Sequence, residues 1–155
     1  MSEVQLTRHF IQWEEKNMDW QEAIETSAEP LLKQDNIEET YVQAMIQNII
    51  DLGPYILIAP DVALPHARPE KGVNKAGMSL TVFKHPVLFP SGNDEKVSEA
   101  RLFICLAAVD SESHLGLLQR ISGWIDDRSF IEKLLDASSE EEVVQFVHGF
   151  QEKQQ

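Results

Sequence analysis

"ARLFICLAAVDSESHLGLLQRIS", Ala100 to Ser122, changes period in its middle. Its first half contains the unbroken apolar block Leu102 to Val109, which leaves no polar face for water and reads as a central strand covered on both sides. From Ser111 the apolar residues return to helical spacing, with a serine placed to cap the first turn. A doubly covered strand that runs into a helix calls for helical layers on both faces of a sheet. That favours an α/β sandwich over a bundle or a barrel.

Working outward, two more β-like segments precede the block: "YILIAPDVAL" (Tyr55 to Leu64) and "GMSLTVFKHPVLF" (Gly77 to Phe89). Before them, "DWQEAIETSAEPLLKQDN" begins with a capping Asp19 and places Trp20, Ala23, Ile24, Ala28, Leu31 and Leu32 at helical spacing. "IEETYVQAMIQNIIDLG" repeats that pattern and stops at Gly53. A short first strand is expected near Phe10 to Trp13, from its aromatic and β-branched residues. After Ser111 two or three helices are expected, with breaks near Gly123 and Asp126 and a second serine cap at Ser138 or Ser139. The expected fold class is therefore α/β, a mixed β-sheet sandwiched between helices, with residues 1–155 forming a single domain.

Composition bounds the function. A chain of 155 residues can bury roughly two thirds of the surface it exposes when unfolded. The fractions of hydrophobic (43%) and charged (25%) residues are those of an ordinary globular protein. "MSEVQLTRHF" has neither the basic start nor the apolar run of a signal peptide, and the longest apolar block is too short to cross a bilayer, so a cytoplasmic protein without direct membrane insertion is expected. Cys105 sits inside the apolar block as the single cysteine, where a buried, inert thiol is expected. The net charge of −13 disfavours nucleic acid as a partner. Only residues 66–85, with Arg68, Lys71, Lys75 and Lys84 against Glu70, are net positive, which suits a site for a small anion or a solvated lysine loop.

That positive segment begins with "ALPHARPEKG" (Ala63 to Gly72). A histidine at the mouth of a loop can be a turn residue, a metal ligand, a proton carrier or a nucleophile. His66 follows a strand and is presented from a corner stiffened by Pro65. His114 follows the central strand and falls in the first turn of the next helix, where free N–H groups and the helix dipole favour an anion. His9, His85 and His148 lie in ordinary surface, edge or packing contexts. No HExxH or paired cysteines argue for a metal, no GxxxxGK[ST] or GxGxxG for a nucleotide, and no GxSxG for a serine hydrolase, so neither metal nor cofactor is expected. Paired catalytic carboxylates stay open among 26 acidic residues, with none singled out.

Three stretches at this separation, "IAPDVALPHARPEKG", "MSLTVFKHPVLF" and "LFICLAAVDSESHLGLLQRIS", resemble enzyme IIA of the mannitol/fructose type (PTS EIIA type 2) in the bacterial phosphoenolpyruvate-dependent sugar phosphotransferase system. Within that family "PHARPE" looks most like the L-ascorbate-specific branch. The fructose and mannitol members more often place a glycine after the histidine, where this chain has Ala67 and then Arg68. The resemblance implies that His66 accepts a phosphoryl group from the phosphohistidine of the carrier HPr and passes it to a cysteine of a cognate enzyme IIB, with the membrane enzyme IIC served indirectly. It implies His114 as the second active-site histidine. Proximity and charge add Arg68 as a phosphoryl-binding guanidinium. A regulatory, nitrogen-type enzyme IIA, whose phosphorylation state controls partner proteins, is the alternative from a different class. The context of Cys105, "FICLA", has no phosphate-cradling loop after it and argues against a fused IIB domain.

Overall fold

Side chains alternate along the apolar block as a strand's period of two requires. Leu102, Ile104 and Leu106 belong to one buried cluster, and Phe103, Cys105 and Ala107 to another. A computed structural model describes residues 6–90 and 98–153, and the first five residues, read above against a signal peptide, lie outside the described residues. In chain order the elements are β1 (Ile11–Glu14), α1 (Trp20–Lys33), α2 (Glu39–Leu52), β2 (Leu57–Ala59), β3 (Asp61–Ala63), β4 (Gly77–Phe89), β5 (Ser98–Ala107), α3 (Ser111–Asp126), α4 (Arg128–Leu135) and α5 (Glu140–Lys153). Among the described residues the five strands form one sheet in the order β1-β4-β5-β3-β2. β1 runs parallel to β4 and β3 parallel to β5, while β4 pairs antiparallel with β5 and β2 with β3. The apolar block is thus the middle strand of a mixed sheet.

The two clusters are the two sides of the sandwich. Ile24, Leu31, Tyr41, Met45 and Ile49, from α1 and α2, cover Phe83, Phe103 and Cys105. Trp124, Phe130, Leu134, Val143 and Val147, from α3, α4 and α5, cover Leu80, Val82, Leu102 and Ile104. Burial pushes the Cys105 thiol up to about 12, so it stays protonated and unreactive.

Several element ends differ from the sequence reading. "YILIAPDVAL" is not one strand but the hairpin β2–β3. It turns at Pro60, which cannot donate to a ladder, and at Asp61, whose φ of 65° is left-handed. The cap of α3 is Asp110 rather than Ser111: Asp110 accepts from the Ser113 N–H at 2.8 Å, and Ser113 Oγ accepts in return from the Asp110 N–H at 3.2 Å. Gly123 does not interrupt α3. The break expected near Asp126 does occur, at Asp127, whose carboxylate accepts the Phe130 N–H and starts α4. Of the two serines proposed for the last helix, Ser139 accepts the Glu142 N–H at 3.2 Å. No helix among the described residues is long and apolar enough to cross a membrane.

Candidate active site

β3 and β5 are adjacent and parallel, so their C-terminal ends leave the sheet side by side. This is the edge of an α/β sheet where loops can gather chemistry. Beyond β3 the chain continues as an extended strap, Leu64 to Ala67. Leu64 N–H donates to Ile56 C=O at 2.8 Å, and Leu106 N–H donates to Pro65 C=O at 2.9 Å. The strap is therefore tied to β5 just before the histidine. His66 Nδ1 lies 2.6 Å from the carbonyl oxygen of Leu64. A carbonyl can only accept, so Nδ1 carries the proton and Nε2 keeps its lone pair. The ring is partly buried, and desolvation is the main cause that pulls its pKa below the ordinary histidine value. The Leu64 carbonyl opposes that shift, and nearby His114 adds to it.

His114 stands in the first turns of α3, and its ring centroid is 6.3 Å from that of His66 with the planes at 50°. Both imidazoles line a cleft of about 680 Å³. Exposed Leu52 and Val109 form part of its apolar rim. Arg68 lines the same cleft but is 82% exposed and stands 4.0 Å from Glu70. Its side chain is at the mouth of the site and not yet committed to the interior. Lys71 does not line the cleft. The turn that carries it is fastened to α2, with Thr40 Oγ1 donating to Lys71 C=O at 2.9 Å and Glu38 N–H donating to Gly72 C=O at 2.8 Å. Gly72 is required there: its φ is 135°, and a Cβ would come 2.6 Å from Thr40 Oγ1. The structure thus brings His66 and His114 together, sets Arg68 at their rim, and leaves exposed His9 and His85, and His148 on α5, outside the lining.

Two tyrosines next to His66 escaped the sequence reading. By pattern alone Tyr41 is one more apolar position of a helical stretch and Tyr55 the start of a β-like run. The Tyr55 hydroxyl donates to His66 C=O at 2.5 Å, and its ring meets the imidazole edge-on at 5.2 Å between centroids. The fully buried Tyr41 accepts the Ala67 N–H at 3.0 Å and lies 2.7 Å from Leu106 C=O. The only signal in the sequence was that a buried phenol must find a hydrogen-bond partner. Among the described residues no group of three or more His, Cys, Asp or Glu side chains gathers as a metal site.

The fold thus holds a partly buried imidazole on a strap just beyond β3, lining one cleft with a second imidazole, an arrangement in which an unprotonated ring nitrogen can act as a nucleophile. The sequence matches the family "Phosphoenolpyruvate-dependent sugar phosphotransferase system, EIIA 2" over residues 5–149, and the chain belongs to that family of phosphotransferase components. It is 46% identical over 129 residues to the mannitol-specific cryptic phosphotransferase enzyme IIA component of Escherichia coli K12, covering 83% of this chain and 85% of the relative. To the ascorbate-specific enzyme IIA component of the same strain it is 35% identical over 130 residues, covering 83% and 82%. The fold superposes with a TM-score of 0.76, at 30% identity and over 94% and 99% of the chains, on enzyme IIA mannitol of Escherichia coli from its complex with phosphorylated enzyme IIB mannitol.

Proposed function

We propose that this chain, acting as one domain over residues 1–155 in the cytoplasm, is a phosphocarrier that takes a phosphoryl group onto His66 Nε2 from phospho-HPr. It then passes the group to a cysteine of a cognate enzyme IIB. The observation that carries this is the contact of Nδ1 with Leu64 C=O, which leaves Nε2 as the lone-pair nitrogen of a ring that lines the cleft. In the first step the Nε2 lone pair attacks phosphorus in line, the P–N bond of the donor breaks, and its electron pair returns to the donor imidazole. No proton has to leave His66. The positive charge that develops on its ring is met at Nδ1–H by the Leu64 carbonyl. In the second step the thiolate of IIB attacks the same phosphorus and the ring recovers its lone pair.

His114, 6.3 Å away by ring centroid, donates a hydrogen bond to a phosphoryl oxygen. Arg68, held only by an exposed contact of 4.0 Å with Glu70, turns toward the charge when it arrives. The enzyme IIA in the superposed structure is paired with phosphorylated IIB, which supports IIB as the acceptor here. The sugar is a finer matter. "PHARPE" supports L-ascorbate, whereas the higher identity, 46% against 35%, lies with a mannitol-specific relative. A mannitol-type IIB is accordingly the first acceptor to try and an ascorbate-type IIB the second.

With phosphoenolpyruvate, enzyme I and HPr, the protein should gain one acid-labile, base-stable phosphoryl group, and His66→Ala should gain none. Equal labelling of His66→Ala would reject the assignment. Offering the labelled protein purified mannitol-type and ascorbate-type IIB separates the two sugars by which acceptor drains the label faster.

A further inference from the structure

The two tyrosines hold opposite ends of one peptide group. Tyr55 Oη donates to the carbonyl of His66 at 2.5 Å, and Tyr41 Oη accepts the N–H of Ala67 at 3.0 Å. Both groups belong to the peptide bond between His66 and Ala67. Tyr41 turns its own proton toward Leu106 C=O at 2.7 Å, with Ala67 C=O at 3.2 Å, and Asn48 Nδ2 donates to Tyr55 Oη at 3.4 Å. One residue earlier the strap still bonds directly to β5, through Leu106 N–H to Pro65 C=O at 2.9 Å. At the next rung the phenol of Tyr41 stands between the strap and β5, relaying Ala67 N–H to Leu106 C=O. The strap therefore leaves the sheet at His66 with both the C=O and the N–H of the 66–67 peptide paired.

The geometry determines where His66 can point. The Cα–Cβ direction of a residue follows from the two peptide planes that flank it. The plane before His66 is held by Leu106, and the plane after it by the two phenols. The ring is then oriented by Nδ1 on Leu64 C=O. We propose that Tyr41 and Tyr55 are positioning residues for phosphoryl transfer, fixing the peptide plane after His66 so that Nε2 meets phosphorus in line; this rests on His66 being the phosphocarrier. They are not proton donors to the reaction, because burial raises both phenols above their ordinary range and both hydroxyls are occupied by backbone groups. Their effect is exerted through geometry, to which in-line transfer is sensitive.

The test uses the full-length protein with 15N-labelled histidine, carrying Tyr55→Phe or Tyr41→Phe. Each change deletes a hydroxyl and keeps the ring. Single-turnover transfer from phosphorylated HPr is followed over a range of donor concentrations, and ring-nitrogen spectra of His66 are recorded without donor. Losing one neutral hydrogen bond predicts a limiting rate about three- to tenfold lower. The half-saturating donor concentration should stay within about twofold, since neither hydroxyl is available to a partner, and the His66 ring signals should shift from those of the single Nδ1–H tautomer. Tyr41 is buried, and if Tyr41→Phe does not fold, Tyr55→Phe, at a half-buried position, decides the matter alone. Unchanged limiting rate and unchanged ring spectrum in folded Tyr55→Phe would overturn the proposal while leaving the phosphocarrier intact. A wild-type protein that takes no label on His66 would remove the phosphocarrier reading and the positioning role with it.

Discussion

The phosphocarrier role proposed for His66 requires a neutral ring, and its surroundings decide over what pH range that holds. Desolvation lowers its pKa and outweighs the Leu64 carbonyl, which favours the charged ring. Its ring titration, followed by NMR, should accordingly have a midpoint below the free-histidine value of about 6.5; a midpoint above it would mean that the carbonyl dominates. His114 faces a different trial. His114→Ala keeps the nucleophile, so label should still reach His66, but onward transfer to IIB should slow. A charge-assisted hydrogen bond of roughly 1.5 to 3 kcal/mol that tightens in the transition state is a loss on the order of ten- to a hundredfold. Transfer within twofold of wild type, in fully folded variant, would reject a role for His114 in the transfer. Arg68→Ala should slow uptake by about 1.5- to 5-fold, as suits an exposed guanidinium, and by more than Lys71→Ala, because Arg68 lines the cleft and Lys71 does not.

At the scale of elements, the sequence was most readable where a local rule acts alone. Asp19 caps α1 by accepting the Glu22 N–H at 2.9 Å, and Gly53 ends α2 with a φ of 85°, both as the residue types imply. One of the misplaced ends also has a partner far along the chain. The β2–β3 turn is secured by Arg128 of α4, which donates to Pro60 C=O at 3.0 Å and lies 3.7 Å from Asp61; no inspection of residues 55–64 would reveal it. Pro30 lies inside α1 and cannot bond the carbonyl one turn back, that of Thr26. Gln12 of β1 supplies the missing donor, its Nε2 lying 2.8 Å from Thr26 C=O and 3.0 Å from Thr81 Oγ1. Gln12→Ala should therefore cost about 1 to 3 kcal/mol of unfolding free energy, the penalty of leaving a partly buried carbonyl unpaired, measured by denaturant unfolding. Little or no loss would show that water replaces the amide.

Across the whole molecule, the pairing of the two histidines was legible through the family resemblance and not through residue pattern, because their meeting depends on β3 lying beside β5 rather than beside β4. The topology also makes His66 part of the protein's stability. A ring whose folded pKa is depressed is protonated more readily by the unfolded chain, so falling pH favours unfolding through this group. Its contribution is complete above about 6.5, the unfolded value, and is lost as pH falls from there through the lower folded value. The chain's net charge of −13 works in the opposite sense, since protonating carboxylates relieves self-repulsion. The raw stability curve mixes the two, and a difference separates them. His66→Gln cannot titrate but shares every carboxylate, so the unfolding free energy of wild type minus that of the variant isolates the histidine. That difference should hold level from pH 8 to about 6.5 and fall from there toward pH 5 in urea titrations at constant ionic strength. A difference that stays flat would mean that the ring is as solvated folded as unfolded, and one that grows toward acid would mean that the folded cleft stabilises an imidazolium, contrary to the burial that leaves Nε2 its lone pair.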